Sequence, residues 1–346
     1  MKIAIFGGSF NPVHNEHINI VRAAINALKL DKVIIMPTFC TPAKDGRITA
    51  TASERLEMCR IAFSDVERAE VSSFEIERGG VSYSYLTCEE FAKKYPKDER
   101  YFIIGSDMLE NFPLWKYPKR ILNAVTLAVC ARVDSGALNT ALKNFEARFN
   151  TKAQAFNYVG KNVSSTKIRA LLALGEECES LNKAVYGYIN KYNVYRIPRL
   201  AEIKNLLTET RWKHTVGVAV MAAENCKRLG IGEAKAITAA ALHDCAKYLD
   251  ADSPLLKGFS RPDGVPEQVL HQYSGAYVAE REFNVTDGDI LNAVRYHTSG
   301  RADMSPLEKL IFLSDLLEES RSFDGVDGLR TLFKEDIDRC LLSALK

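Results

Sequence analysis

The pattern of apolar residues changes near Pro198, and this change limits the possible folds more than any other feature of the chain. Before it, short β-branched runs alternate with longer amphipathic stretches, whereas after it nearly every segment has helical spacing and no strand is predicted. Strands that are apolar nearly throughout and are separated by helices are typical of a parallel sheet covered on both faces. We therefore predict an α/β domain over residues 1–196 and an all-α domain over residues 197–346, with the boundary near residues 196–200.

The predicted strands of the first domain are Lys2–Phe6, Lys32–Met36, Ala69–Phe74, Tyr101–Ile104, Ala124–Ala131 and Gln154–Val159.

The formal net charge is +2, and no run of Lys and Arg suggests binding to nucleic acid or to a membrane surface, so we expect small-molecule partners. The eight cysteines show no C-x-x-C spacing, and neither a leader nor a transmembrane stretch is evident. We therefore expect a cytoplasmic protein with reduced thiols, and a homo-oligomer is possible.

The stretch "GGSFNPVHNEH" follows the first predicted strand and precedes an amphipathic helix. Gly7 and Gly8 would let a ligand approach the backbone, and the N-terminus of the helix offers N–H groups and a positive dipole to an anion. If the helix begins near Val13, His14 and His17 lie one turn apart on the same face. We therefore predict a phosphate site at the carboxyl end of the first strand, where open α/β sheets bind ligands.

This stretch resembles the G-x-F-x-P-x-H-x-G-H signature of the nucleotidyltransferase superfamily, and "NVSSTKIRALLALG" resembles that family's second signature, I-S-S-T-x-I-R. The resemblance implies a Rossmann-like fold and an ATP site to which the two signatures contribute Gly7, Gly8, Ser9, Phe10, His14, His17, Ser164, Ser165, Thr166 and Arg169. His14 and His17 would stabilise charge on the α-phosphate. Arg169 and the hydroxyls of Ser165 and Thr166 would hold the leaving phosphates, and Mg²⁺ would bridge the triphosphate.

One residue departs from the first signature, because Glu16 stands where the family has glycine. A carboxylate that faced the triphosphate would repel it. We therefore expect the Glu16 side chain to point to solvent and Glu16→Gly to leave activity equal or improved.

The middle of the first half indicates which nucleotide accepts AMP. The stretches "MPTFCTPAKDG", "ASERLEMCRIAF", "FEIERGGVSYSYLT" and "YFIIGSDMLENFPLWKYPK" resemble segments of bacterial nicotinate-nucleotide adenylyltransferase, in that order, and the resemblance covers essentially all of residues 1–195. The resemblance implies transfer of AMP from ATP to nicotinate mononucleotide, which gives deamido-NAD and pyrophosphate. It assigns Ser82, Tyr83, Ser84 and Trp115 to the pyridine pocket, Lys44 to a basic loop, and Gly105 and Asp107 to the nucleotide. Ordinary packing is the alternative role for Tyr83 and Trp115.

The four remaining histidines lie in the helical half. His243 is followed by Asp244 within "AITAAALHDCAKYL", where a carboxylate buried in an apolar helix needs an opposite charge or a metal. Together with His214 and with Asp315 in "FLSDLLEESR", this pair follows the ligand order of the HD superfamily of metal-dependent phosphohydrolases. The order implies a metal site, and imidazole and carboxylate ligands suit divalent ions of intermediate softness.

His271 and His297 lie between these ligands in the chain, where they would hold a second ion with Asp244 as the bridging ligand. Residues 200–335 resemble the bacterial HD proteins that cleave diadenosine tetraphosphate symmetrically to two ADP. The resemblance implies two divalent ions, with iron expected and manganese, cobalt or nickel as alternatives. Lys247 and Arg321 are candidates for neutralising substrate phosphate, although a solvated or ion-paired role fits each of them equally well.

The sequence is compatible with several other activities. The acceptor in the first domain could be nicotinamide mononucleotide or another compound such as phosphopantetheine. The HD domain could act on alarmones of the guanosine tetraphosphate type, on deoxynucleotides or on cyclic dinucleotides. One half could also be a nucleotide-binding regulator of the other.

Overall fold

The computed structural model describes residues 1–39, 49–131, 135–161 and 163–346, except for the side chains of residues 135 and 136. Contacts within the chain divide it into two compact units. The first unit contains most of residues 1–165 together with residues 179–193, and the second contains residues 166–178 and 194–346. The domain boundary near residues 196–200 stays a prediction.

The first unit is built on a parallel sheet of six strands, β1 (Lys2–Gly8), β2 (Lys32–Pro37), β3 (Ala69–Val71), β4 (Glu99–Gly105), β5 (Thr126–Ala131) and β6 (Gln154–Asn157). The strand order is β3-β2-β1-β4-β5-β6, and each neighbouring pair is parallel. This order confirms the predicted Rossmann-like fold. The winding reverses between β1 and β4, so a ligand crevice is expected at the carboxyl ends of these two strands.

Nine α-helices are described in the first 193 residues: α1 (Asn15–Leu28), α2 (Ala52–Phe63), α3 (Phe74–Arg78), α4 (Ser84–Lys94), α5 (Ser106–Asn111), α6 (Pro118–Ala124), α7 (Ser135–Phe149), α8 (Ser165–Ala173) and α9 (Lys183–Tyr192). A 3₁₀ helix, Phe112–Leu114, follows α5. Ile3 and Ile5 of β1 pack with apolar residues of α4–α7. Because successive strand residues face opposite sides, Ala4 and Phe6 are buried beneath the other layer of helices.

The third strand is shorter than predicted, since β3 ends at Val71 and helix α3 begins at Phe74. Only Ala69, Glu70 and Val71 pair with β2, at the edge of the sheet. The serines that follow favour a helix start over continued pairing, and the Ser72 hydroxyl accepts a hydrogen bond of 3.2 Å from the Phe74 N–H.

The second unit is helical throughout its described part. Its helices, after residues 166–173 of α8, are α10 (Leu200–Asn205), α11 (Glu209–Cys226), α12 (Glu233–Leu242), α13 (Leu270–Arg281), α14 (Gly288–Arg295), α15 (Pro306–Leu317), α16 (Val326–Glu335) and α17 (Ile337–Ala344). Short 3₁₀ helices occur at Lys227–Leu229, Pro254–Leu256 and Glu267–Val269. This unit confirms the predicted all-α fold.

Helices α11–α15 enclose the core of the second unit, with α11 against α12 and α15, and α13 against α14. Ala236, Ala239, Ala240 and Ala241 of α12 are fully buried. Their small side chains let the neighbouring helices approach closely, which brings side chains near the end of α12 into the centre of the unit. Among the described helices, none is both long and apolar enough to be a candidate membrane span.

Candidate active sites

The first candidate site lies where β1 ends and α1 begins. Helix α1 starts at Asn15, two residues later than predicted, and His14 takes the N-cap position. The rings of His14 and His17 are stacked with their centroids 3.7 Å apart, so the structure brings the predicted pair together. The Phe10 ring packs edge-on against His17 at 5.0 Å and is itself only 1% exposed. Packing of this kind limits the orientations open to the imidazole.

The hydrogen bond of His17 determines the position of its proton. Its Nδ1 accepts the backbone N–H of His14 at 3.1 Å. An imidazole nitrogen that accepts a hydrogen bond carries no proton, so the proton of the neutral ring lies on Nε2. His17 is therefore preorganised as an Nε2–H donor at the N-terminus of α1.

The expectation that Glu16 points to solvent is wrong. The side chain is 7% exposed, and its Oε2 accepts hydrogen bonds from the Tyr158 hydroxyl at 2.8 Å and the Lys161 backbone N–H at 2.9 Å. The loop after β6 therefore supplies donors that replace water around the carboxylate. The position of Glu16 in the first turn of α1 adds a favourable interaction with the helix dipole.

Most of the remaining residues of the two signatures lie at ends of elements, and Arg169 lies in the middle of α8. Gly7 and Gly8 close β1, and Ser9 follows it. Ser164 immediately precedes α8, whose first residues are Ser165 and Thr166. The Arg169 guanidinium donates to both carboxylate oxygens of Glu233, at 2.6 and 2.5 Å, and to the Thr166 hydroxyl at 3.0 Å.

The segments assigned to the pyridine and the nucleotide lie at the start of α4 and after β4. Ser82 and Tyr83 precede Ser84, the first residue of α4, and the Ser82 hydroxyl accepts the Phe39 N–H at 3.0 Å. Trp115 is half-buried and packs on Phe102 and Phe112. The Nζ atom of Lys116, the next residue, lies 4.1 Å from the centroid of the Tyr83 ring. The two predicted aromatic residues therefore belong to one region of the first unit.

Gly105 ends β4 and is the N-cap of α5, and Asp107 lies exposed in the first turn of that helix. This position is the other side of the crevice between β1 and β4. The predicted site residue Lys44 lies outside the described residues.

Sequence reasoning missed Arg55, which is fully buried on α2. Its guanidinium donates to the carbonyl oxygens of Ser9 at 2.6 Å, Thr38 at 2.6 Å and Phe39 at 3.1 Å. Arg55 therefore ties together the segments that follow β1 and β2. The available signal was a charged residue adjacent to the apolar positions of "ERLEMCRIAF" that face the core.

The second candidate site lies in the core of the helical unit. Two overlapping groups of ligand-type side chains converge there: His214 with His243 and Asp244, and Asp244 with His271 and His297. Within each group the ligand atoms lie within 4.8 Å of one another. His243 and Asp244 follow the end of α12 at Leu242, so the pair occupies a turn and not, as predicted, a helix. Asp315 of α15 adds its Oδ1 at 2.9 Å from His214 Nε2.

The two oxygens of Asp244 face different histidines. Oδ2 lies 3.1 Å from His243 Nε2, whereas Oδ1 lies 3.4 Å from His271 Nε2 and 3.5 Å from His297 Nε2. This arrangement fits a carboxylate that bridges two ions, with one oxygen for each.

The histidine tautomers provide a test of whether these residues fit metal ions. Nδ1 of His243 lies 2.6 Å from the Ala240 carbonyl oxygen, and Nδ1 of His297 lies 2.7 Å from that of Val294, so each Nδ1 carries a proton. The Nε2 lone pairs then point at the Asp244 carboxylate, and among described residues Asp244 Oδ1 and His243 Nε2 have no hydrogen-bond partner. Lone pairs that face a carboxylate repel it unless a proton or a metal ion lies between them. The donor set therefore fits divalent metal ions.

The charged groups of the site shift one another's pKa values. Burial raises the pKa of Asp244, but His243 and His297 outweigh this effect and hold it well below its ordinary value. Burial lowers the pKa of His243, but the charge of Asp244 more than offsets this and raises it. Burial is the main effect that lowers the pKa of His271 to about 4, and the positive charges of His297 and Lys247 lower it further. His271 is therefore neutral at pH 7, as a metal ligand must be.

Cationic side chains surround the centre. Lys247 Nζ lies 3.1 Å from His271 Nε2, and Arg321 donates to Asp315 Oδ1 at 2.7 Å. Both predicted phosphate contacts thus lie beside ligand residues. Arg211, which the sequence analysis missed, pairs with Asp244 Oδ2. Its signal was its position three residues before His214 on α11, a spacing that puts both side chains on one helix face.

Glu318 was also missed, although it orients a predicted ligand. Its buried carboxylate lies 3.0 Å from His214 Nδ1, which directs Nε2 of that ring toward Asp315. The Ser320 N–H donates to Glu318 at 2.9 Å, and a side chain at Gly217 would collide with the carboxylate. A carboxylate that holds the outer nitrogen of a histidine in this way fixes the ring and strengthens it as a ligand.

Two family models match the chain, the cytidylyltransferase-like family over residues 5–171 and the HD domain over residues 211–320. A Mycoplasma genitalium protein described as "probable nicotinate-nucleotide adenylyltransferase/Ap4A hydrolase" is 31% identical over 361 residues, which cover 100% of this chain and 97% of that protein.

Two shorter relatives each match one activity of that description. A Clostridium tetani protein described as "probable nicotinate-nucleotide adenylyltransferase" is 35% identical over 56% of this chain and 99% of its own length. A symmetrical bis(5'-nucleosyl)-tetraphosphatase of Bacillus subtilis is 41% identical over 42% of this chain and 82% of its own length.

Glu318→Ala should weaken the binding of divalent metal by about 10- to 100-fold, because the His214 ring loses the partner that orients it. The affinity is measured by calorimetric titration of the metal-stripped protein with Mn²⁺ or Co²⁺. Glu319→Ala is the matched control, since this neighbour is exposed. Equal affinity of the Glu318 variant and the wild type would contradict an orienting role.

Proposed function

Because this chain belongs to the family of nicotinate-nucleotide adenylyltransferase/Ap4A hydrolases, we propose that it is a bifunctional enzyme. Its N-terminal half transfers AMP from ATP to nicotinate mononucleotide in NAD biosynthesis. The second unit hydrolyses diadenosine tetraphosphate to two ADP. The observation that carries the first activity is the stacked His14–His17 pair at the N-terminus of α1, and the convergence of histidine Nε2 atoms on Asp244 carries the second.

Adenylyl transfer needs positioning and charge neutralisation more than covalent chemistry by the protein. A phosphate oxygen of nicotinate mononucleotide forms a bond to the α-phosphorus of ATP in line with the bond to the bridging oxygen. The bond between the α-phosphorus and the bridging oxygen breaks, and pyrophosphate leaves with the electron pair of that bond. The Nε2–H of His17, with His14 beside it, donates to the oxygens of the α-phosphate where negative charge accumulates.

The second signature holds the leaving phosphates in this proposal. The hydroxyls of Ser165 and Thr166, with Ser164 before them, lie at the N-terminus of α8, where N–H groups favour an anion. Arg169 would exchange the Glu233 carboxylate for a phosphate, to which its planar guanidinium is equally suited. Mg²⁺ bound by the triphosphate would neutralise part of its charge.

The acceptor is proposed from the segments at the start of α4 and after β4. Ser82, Tyr83, Ser84 and Trp115 would line the pyridine pocket, with Gly105 and Asp107 at the nucleotide and Lys44 in a basic loop. Nicotinamide mononucleotide or phosphopantetheine remain alternative acceptors. Mass spectrometry of the products formed from ATP with nicotinate mononucleotide, nicotinamide mononucleotide, phosphopantetheine or no acceptor decides among them.

In the hydrolase, His214, His243, Asp244, His271, His297 and Asp315 would hold two divalent ions. Iron is proposed first, and manganese, cobalt and nickel suit the same ligands. When bound at such a site, these ions activate water and neutralise phosphate charge. Lys247 and Arg321 would neutralise further phosphate charge, since each already lies beside a ligand carboxylate. Water adds to one phosphorus of the central P–O–P linkage, which breaks to give two ADP.

We also propose that the protein acts in the cytoplasm and that its only substrates are small-molecule nucleotides. Neither activity requires nucleic acid or a membrane. The support for this proposal is the near-balanced charge of the chain and the free thiols of the described cysteines. Light scattering of the purified protein measures whether it forms a homo-oligomer.

His17→Ala should reduce the rate of deamido-NAD synthesis by about 10²- to 10³-fold, the loss typical of one preorganised donor. Initial rates with ATP and nicotinate mononucleotide measure this, and thermal unfolding checks that the variant is folded. Arg22→Ala on the same helix is the control, since Arg22 is exposed. Near-normal synthesis by the His17 variant would overturn the assignment.

Asp244→Ala should abolish hydrolysis of diadenosine tetraphosphate and release bound metal, while dinucleotide synthesis is unchanged. The reason is that both groups of ligand atoms share this carboxylate. Mass spectrometry of bound metal and the two activity assays are compared with the exposed control Asp250→Ala.

Loss of both activities in the Asp244 variant would contradict the independence of the two sites. Wild-type protein that neither binds divalent metal nor hydrolyses the substrate after metal reconstitution would instead support a regulatory second unit. Loss of hydrolysis on adding a chelator, and recovery on adding metal back, is the expected result.

A further inference from the structure

Glu16 is a buried carboxylate that none of the roles described above uses. It is 7% exposed and lies immediately before His17 on α1. Three donors surround it: the Tyr158 hydroxyl at 2.8 Å, the Lys161 backbone N–H at 2.9 Å and the Asn19 side-chain amide at 3.3 Å. A buried carboxylate with this many hydrogen bonds holds the groups that donate to it in fixed positions.

The contacts of Glu16 join two segments assigned to the ATP site, and all of the contacting residues belong to the first unit. Tyr158 and Lys161 belong to the loop that follows β6, and the chain continues from this loop to Ser164 and Ser165 of the second signature. The other side of the contact is the first turn of α1, which carries His17. Glu16 therefore links the helix of the first signature to the loop that leads into the second.

The loop is shaped to receive this side chain. A Cβ atom at position 160 would collide with Glu16 Oε2 and with the Tyr158 ring, so the absence of a side chain at Gly160 gives the carboxylate room. Tyr158 is in turn held to the sheet, because its backbone N–H donates to the Ala131 carbonyl at 3.3 Å. A glycine at position 16, as in the family signature, could make none of these side-chain contacts.

We propose that Glu16 is a positioning residue of the adenylyltransferase, which sets the distance between the two phosphate-binding segments through its hydrogen bonds to Tyr158 and Lys161. The proposal rests on the proposed function of the first unit. It also reverses the expectation for Glu16→Gly, because removal of the side chain frees the loop. The segment freed would bind the phosphates of ATP, so ATP affinity should fall more than affinity for the acceptor.

The test compares Glu16→Ala, Glu16→Gln, Tyr158→Phe and the double variant Glu16→Ala/Tyr158→Phe with the wild-type full chain. Initial rates give KM for ATP and for nicotinate mononucleotide, and calorimetry gives the dissociation constant of Mg-ATP without acceptor. Glu67→Ala, an exposed carboxylate of the same unit, is the control.

In Glu16→Ala, KM and the dissociation constant for ATP should rise by about 5- to 10-fold, as expected for a lost hydrogen-bonded anchor, with KM for the acceptor within about twofold of wild type. Glu16→Gln should be close to wild type, since the amide oxygen still accepts from Lys161 and Tyr158. Tyr158→Phe should give a smaller rise for ATP alone, and the double variant should match Glu16→Ala.

Unchanged ATP affinity, equal losses for both substrates, or a Gln variant as weak as the Ala variant would each overturn the proposal. If Glu16→Ala does not fold, Tyr158→Phe still tests the proposal, because it removes one hydrogen bond to Glu16 and retains the carboxylate. A wild-type protein that binds ATP but makes no dinucleotide would refute the proposed function instead, and the ATP dissociation constants of the variants would still decide the role of Glu16.

Discussion

The complete burial of the Asp244 carboxylate is the constraint on which the helical unit depends. A charge removed from water must be compensated within the protein, and the core around α12 consists largely of alanine. The compensation comes from side chains far apart in the chain: Arg211 and His243 at one oxygen, His271 and His297 at the other. The five central helices are therefore arranged around a negative charge as well as around an apolar core.

Among the described residues, however, Asp244 Oδ1 has no hydrogen-bond partner. Backbone carbonyls hold the outer nitrogens of His243 and His297, and Glu318 holds that of His214, so all three rings turn their inner nitrogens to the carboxylates. Between each inner nitrogen and the carboxylate oxygen that it faces, there must then be a proton or a metal ion that both atoms bind. The overlap of two ligand groups at one bridging carboxylate favours metal, because only ions with several coordination positions use the whole set.

The sequence predicted the elements of both units well because their signals are local. Apolar periodicity identified the sheet strands, and glycine, serine and histidine motifs identified the ends of elements at which we propose that ligands bind. The errors arose where a distant partner decides the outcome. Glu16 was expected in solvent because nothing near it in the chain reveals that Tyr158 and Lys161 supply its hydrogen bonds. Arg55 and Glu318 were missed for the same reason, since their partners come from other elements.

The two candidate sites would handle phosphate by different physical means. The first uses donors with fixed geometry, a helix N-terminus and an imidazole whose tautomer is determined by the backbone of its own helix. The second uses a buried anion that gathers cations. All six histidines of the chain are divided between these sites, and no histidine belongs to both. A change in metal supply therefore acts directly on the second set of histidines alone, whereas the donors of the first depend on hydrogen bonds within their own unit.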